Sequence, residues 1–189
     1  MSESSKETMD IIIKMVLISA VAAALLAVTF IPTNEQLKVN TAAAKVSILA
    51  ELIPDAANFE NVEGSAVDED GNREILYYRA TDDSGNIIGY AFFKAHPGAQ
   101  GPLVVAGGVD ASFSTVKGMN VLSHEETPGL GAKIIDADFR GQFNNIPLSD
   151  LSLSSDGGAI DSITGATIST VAVIDAMNGK ISEIQGAEA

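Results

Sequence analysis

The run IIIKMVLISAVAAALLAVTFI, from Ile11 to Ile31, restricts this chain more than any other stretch. Its 21 residues hold one charge, Lys14, close to the start. As an α-helix the run would be ~31 Å long, matching the hydrocarbon core of a bilayer, and a lysine near the end of such a helix reaches back to the headgroups. A cleaved signal peptide is the competing reading. The run exceeds a usual h-region, however, and closes on Thr29, Phe30, Ile31 and Pro32 where a cleavage site wants small residues, so an uncleaved anchor is favoured. Lys6 and Lys14 precede the span while Lys38 and Lys45 follow at a distance, a slight bias toward a cytoplasmic N-terminus. The expected organisation is a short tail over residues 1–10, a transmembrane helix over 11–31, a connecting helix over 32–57 and one domain over 58–189. The protein is then single-pass in the cell membrane, with that domain outside the cytoplasm.

What remains of the 189 residues suffices for one ordinary domain. The formal net charge is −14, and lysines and arginines are scattered rather than grouped. Nucleic acid is therefore not an expected partner, because neutralising phosphates takes a basic patch. There is no cysteine. That excludes thiolate metal sites, cysteine-held iron–sulfur clusters, cysteine nucleophiles and disulfides. Only His96 and His124 are present, so a multi-histidine metal site is out and no metal is expected.

After Pro32, Leu37, Ala44, Ile48 and Leu52 share one helical stripe that Pro54 ends. Residues 58 to 71, NFENVEGSAVDEDG, are acidic, lack a clear period and read as a loop. REILYYRA and IIGYAFFKA flank TDDSGN, whose residues supply turn chemistry, which predicts a β-hairpin. PLVVAGGVD and STVKGMNVLSH read as two further strands of an antiparallel sheet. Residues 136 to 160 read mostly as loop, with LSDLSLSS a candidate strand. Val171, Ile174, Met177, Ile181 and Ile184 fall at steps of three and four and predict a C-terminal helix.

Two stretches carry chemistry. In DSITGATIST, Thr167 precedes the first core position of the C-terminal helix, Val171, by about one turn. A helix N-terminus offers unpaired N–H groups and a positive dipole end, so it stabilises a phosphate without lysine or arginine. Gly165 and Ala166 leave the backbone open to close approach, and the Thr167 hydroxyl can be esterified. The plainer alternative is a loop ending in a helix N-cap. The second stretch is SHEETPGLGAKI, which taken alone is an ordinary turn.

Together the two stretches resemble a known family. Asp161, Thr164, Gly165, Ala166 and Thr167 meet the pattern Asp, two variable residues, Thr or Ser, Gly, Ala, Thr, which is similar to the flavinylation motif of the FMN-binding domain family. Glu126, Thr127, Pro128, Gly129, Leu130 and Gly131 resemble the hallmark of the G subunits of Rnf electron-transport complexes and of the related C subunits of sodium-pumping NADH:quinone reductases. The short chain favours the Rnf type. One departure is that Ile168 is followed by Ser169 and Thr170, where many members have Thr and then Ser.

The resemblance implies an α+β fold: one N-terminal transmembrane helix, then a single FMN-binding domain with an antiparallel sheet and flanking helices. It implies FMN joined covalently through its phosphate to Thr167 by a flavin transferase, with Asp161, Thr164, Gly165 and Ala166 shaping the acceptor turn. Glu126, Thr127, Gly129 and Leu130 are expected against the flavin ring, and Lys133 is a candidate to offset charge on flavin or phosphate. The implied function is electron transfer within an ion-translocating membrane complex. Its partners would be the other subunits of that complex, including a second flavin-bearing membrane subunit. No stand-alone catalysis is expected. The alternatives are another membrane-anchored FMN-binding-domain electron carrier, or a non-redox tethered binding module in which TGAT only caps a helix.

Overall fold

The computed structural model describes residues 3–67 and 71–189. They divide into two compact units, Met1–Ala44 and Lys45–Ala189.

Helix α1, Glu3–Leu52, is one element, where the sequence suggested a tail, a span and a separate connecting helix ending at residue 57. Among the described residues it alone is long and apolar enough to cross a membrane, with a mean hydropathy of 2.7 over its most apolar window, none of which is buried in the protein. Lys14 pairs with Asp10 one turn earlier at 2.5 Å, which partly neutralises the charge at the edge of the apolar run. Pro32 lies inside the helix without breaking it. Around it, Thr29 Oγ1 donates to Leu26 O (3.0 Å) and Thr33 Oγ1 donates to Thr29 O (2.7 Å). Both hydroxyls back-bond to carbonyls three or four residues earlier in the helix. Leu37 is 61% exposed, so the expected stripe is buried only at its far end, at Ile48 and Leu52. The helix stops two residues before Pro54, as the crowding of the residue before a proline requires.

The second unit is built on a six-stranded antiparallel sheet in sequence order, β1 to β6. The strands are β1 Asn58–Val67, β2 Arg73–Thr81, β3 Ile87–Pro97, β4 Pro102–Asp110, β5 Thr115–His124 and the short β6 Ile146–Pro147. The β2–β3 turn forms as its composition implied, with Asp82 Oδ1 accepting the N–H groups of Ser84 and Asn86, each at 2.8 Å. β1 corrects the loop expected over residues 58 to 71, although residues 68–70 lie outside the described ones. Its period was hidden because its inward residues point to both faces: Phe59 toward one hydrophobic cluster and Val62 toward the other. The candidate strand LSDLSLSS is not a strand either; 3-10 turns form at Leu148–Asp150 and Ser154–Asp156, after a short α2 at Ala137–Gly141.

Each face of the sheet is covered. Helix α3, Thr167–Glu188, packs Val173, Met177, Ile181 and Ile184, all 1% exposed or less, against Phe92, Leu103 and Val105. On the other face Ile48, Leu49, Leu52 and Ile53 cover Tyr78, Ala80, Ala91 and Ala106. Gly107 sets how closely α3 approaches: a Cβ there would stand 2.4 Å from both Met177 Sδ and the Phe92 ring. Burying a large aliphatic side chain contributes roughly 1.5–3 kcal/mol, so this helix–sheet interface is the main source of stability and holds α3 in register. The fold class read from the sequence is the observed one.

Candidate functional site

The start of α3 is shaped by its preceding loop. Ala166 N–H donates to Ile163 O (2.8 Å), closing a four-residue turn whose third residue, Gly165, has φ +77°. Only glycine adopts that backbone without strain, which accounts for its place between Thr164 and Ala166. Thr170 then staples the turn to the helix. Its hydroxyl accepts Ile163 N–H (3.1 Å) and donates to Ala166 O (3.2 Å). The N-cap position is Ala166, and no side chain caps the helix. The first intrahelical bond of α3 runs from Thr170 N–H to Ala166 O (3.1 Å), so the N–H groups of Thr167, Ile168 and Ser169 precede it. Among the described residues the exposed Thr167 hydroxyl has no hydrogen-bond partner.

The ETPGLG segment folds against this turn. Leu130 N–H and Ala132 N–H both donate to Thr127 O (3.2 Å each), and Gly129 takes φ +78°. Leu130, still 46% exposed, leans on the turn before α3: a Cβ on Gly165 would lie 3.3 Å from its Cδ2. The two motifs, which begin 35 residues apart at Glu126 and Asp161, are therefore in contact.

Between them lies a cleft of about 390 Å³. Glu126, Thr127, Leu130 and Gly131 line it from one side and Gly165, Ala166, Thr167, Ile168 and Ser169 from the other; Ala99 and Gln100, from the turn after β3, close a third. Six of these, Glu126, Thr127, Leu130 and the Gly165–Thr167 trio, were expected from the sequence. Thr164 sits at the centre of the turn before α3 and Gly129 at the outer bend of its loop; neither lines the cleft. Asp161 and Lys133 line a neighbouring cleft of about 350 Å³ together with Asp136, Asp138 and Gln142. Asp161 is exposed but hydrogen-bonded to neighbouring loops. Its Oδ1 accepts Ser154 Oγ–H and its N–H donates to Gln142 Oε1, each at 2.6 Å.

Ala99 and Gln100 were not singled out from the sequence, and Ser169 was noted only as a departure from the motif. The signal that would have pointed to the first two is PGAQGP, a run of turn formers between two strands, since such turns sit at sheet ends where loops gather.

The sequence profile of the FMN-binding domain matches residues 98–182, which spans the cleft from the Gly98–Gly101 turn into α3. The G subunit of the ion-translocating oxidoreductase complex of Methanosarcina acetivorans is 47% identical over 97% of this chain and 98% of its own. The chain belongs to this family of G subunits. The Vibrio vulnificus member is 34% identical over 83% of this chain and 80% of its own. Among solved structures, NqrC of Shewanella oneidensis aligns over 70% of this chain and 72% of its own, with 19% identity and a TM-score of 0.48, too slight a likeness to argue from. The region matched by the FMN-binding domain contains both motif loops and the third wall of the cleft, and α1 lies outside it.

Proposed function

We propose that this chain is the membrane-anchored electron-transfer subunit of an Rnf-type ion-translocating complex, carrying FMN joined through its phosphate to Thr167. The observation that carries the reading is the free, exposed Thr167 hydroxyl at the open N-terminus of α3, on a cleft whose walls come from both motifs. In this reading residues 11–31 span the membrane, 32–57 connect and 58–189 form the FMN-binding domain, outside the cytoplasm. Partners are the other subunits of the complex, a second flavin-bearing membrane subunit among them, and a flavin transferase during maturation.

The residues present suit the group. The cleft is mixed in character: Leu130, Ala166 and Ile168 offer apolar surface, while Thr127 and the N–H groups that open α3 offer donors. Attachment would form a bond from Thr167 Oγ1 to phosphorus and break the bond from phosphorus to the leaving group of the activated flavin phosphate the transferase uses, the hydroxyl proton going with that leaving group. It would leave a diester of about one negative charge where a free phosphate monoester has nearly two. On a chain of net charge −14 that lowers repulsion, and the remaining charge faces the positive end of α3. Bound flavin supplies the capacity to pass one electron or two. The protein's part is placement. Thr167 holds the phosphate, the N–H groups of Ile168 and Ser169 stand beside it, Leu130 packs against the ring, and Thr127 orients its polar edge. Asp161 and Thr164 act through the acceptor turn, and Lys133 offsets charge from the adjoining cleft.

The test is a denaturing gel of protein made with an active flavin transferase. Flavin fluorescence should stay with the wild-type band and vanish in Thr167→Ala, and the peptide containing Thr167 should gain the mass of FMN less water. A wild-type band without fluorescence refutes the reading.

A further inference from the structure

The turn joining β3 to β4 forms one wall of the cleft, and a single carboxylate holds it there. Glu126 is only 5% exposed. Its Oε1 accepts Ala99 N–H at 2.7 Å and its Oε2 accepts Ser169 Oγ–H at 2.8 Å. Among the described residues no lysine or arginine pairs with it. Two glycines make room: a Cβ on Gly98 would stand 2.1 Å from Oε1, and one on Gly131 would stand 2.4 Å from Oε2. Three segments distant in sequence thus meet at one side chain, and all three line the cleft.

A buried carboxylate without a cation is costly unless its oxygens are hydrogen-bonded. An apolar side chain would fill the space at lower cost, but it has no directional bonds with which to fix three segments at once. We propose that Glu126 is a positioning residue, a clamp that locks the Gly98–Gly101 turn and the first turn of α3 onto the ETPGLG loop. The cleft then stands formed, with Thr167 presented, before flavin arrives. This role differs from the direct ring contact expected from the sequence, and it rests on the flavin reading of the cleft. It also gives Ser169 a function: the Ser–Thr order after Ile168 puts one hydroxyl on Glu126 and the other, Thr170, on the acceptor turn.

The experiment compares detergent-solubilised full-length wild type, Glu126→Gln, Glu126→Ala and Glu126→Asp, first produced without a flavin transferase. Amide hydrogen exchange is read at Ala99 and, as a control for global unfolding, at Val105 and Val173. Glu126→Ala should speed exchange at Ala99 by roughly tenfold or more while leaving the control amides unchanged. Glu126→Gln should stay near wild type, because its amide oxygen still accepts Ala99 N–H and its NH₂ can donate to Ser169 Oγ. Should Glu126→Ala unfold, Glu126→Asp, whose carboxylate is one methylene too short to reach both Ala99 N–H and Ser169 Oγ, carries the same test. Unchanged exchange at Ala99 overturns the clamp. With the transferase then supplied, flavin addition should slow by roughly tenfold in Glu126→Ala and be restored in Glu126→Gln; equal rates in all variants overturn its role in presenting Thr167. Wild type that takes up no flavin would sink the flavin reading while leaving the exchange result intact.

Discussion

Helix α3 ends in two opposite ways. At its C-terminal end the Glu188 carboxylate is saturated: Tyr77 Oη–H donates to Oε1, Arg79 Nη2 lies 2.8 Å from Oε1, and Tyr90 Oη–H is 3.4 Å from Oε2. At its N-terminal end Ala166 offers no cap, and the Thr167 hydroxyl is unbonded among the described residues. Polar groups near a folded core normally find partners. An end left open on the same helix as one so fully closed is what the flavin proposal accounts for. The buried stretch between them, Val173 to Ile184, is what lets one end stay open without loosening the other.

The largest expected contrast is at the open end. Thr167→Ala should remove all attached flavin yet change unfolding free energy by no more than about 0.5 kcal/mol, because no bond in the fold is lost. A large loss of stability, followed by denaturant titration, would break the comparison. At the closed end the pattern should reverse. Glu188→Ala should cost about 1–3 kcal/mol, leaving Tyr77 and Arg79 without their acceptor, while the protein keeps its flavin. Thr170→Val tests the boundary between the two regimes. It removes the acceptor of Ile163 N–H from a fully buried site and should cost about 1 kcal/mol, with flavin addition slowed rather than abolished.

The smallest effect is a pH dependence confined to the closed end. Burial pushes the Glu188 carboxyl up, but hydrogen bonds from Tyr77 and Arg79 and the Arg79 charge outweigh it and hold the group below its ordinary value. Because the folded-state value is lowered, its contribution is complete above the ordinary carboxylate range and fades as pH falls through the lowered value. Acidification through that lowered value should therefore fray the end of α3, seen as faster amide exchange at residues 185–188. Glu188→Gln should remove that dependence. Tyr77 behaves conversely: burial, then the Glu188 hydrogen bond, pushes its phenol up to about 12, so it stays protonated throughout.

Much of this division was legible in the sequence. The hairpin around TDDSGN and helix α3 were readable because their signals are local: turn residues between alternating runs, and apolar residues at helical spacing. Within α3 the reading was correct at Ile174, Met177, Ile181 and Ile184, but it missed Val173, which is fully buried, while Val171 is only partly so. β1 escaped because both faces of the sheet are covered, so Phe59 and Val62 are half-buried on opposite sides and no single-face alternation exists to detect. At the site, Thr167, Leu130 and their neighbours were found through a motif. Lys133 sits in the adjoining cleft because the short helical turns at Gly131–Ile135 and Ala137–Gly141 carry that segment past the first one, and Asp161 is held there by Ser154 and Gln142.

The sequence by itself determined the long apolar helix, the four strands β2 to β5, the C-terminal helix and the choice of Thr167 as the proposed acceptor. Each depends on residues within a turn or two of one another, where covalent connection already sets the distance. Only the tertiary structure decided that the Gly98–Gly101 turn, the ETPGLG loop and the start of α3 face one cleft, and that Glu126 joins them. Those contacts bridge 27 and 43 residues of chain. Strand register and the seating of α3 over Gly107 set such separations, and neither is encoded in any short stretch.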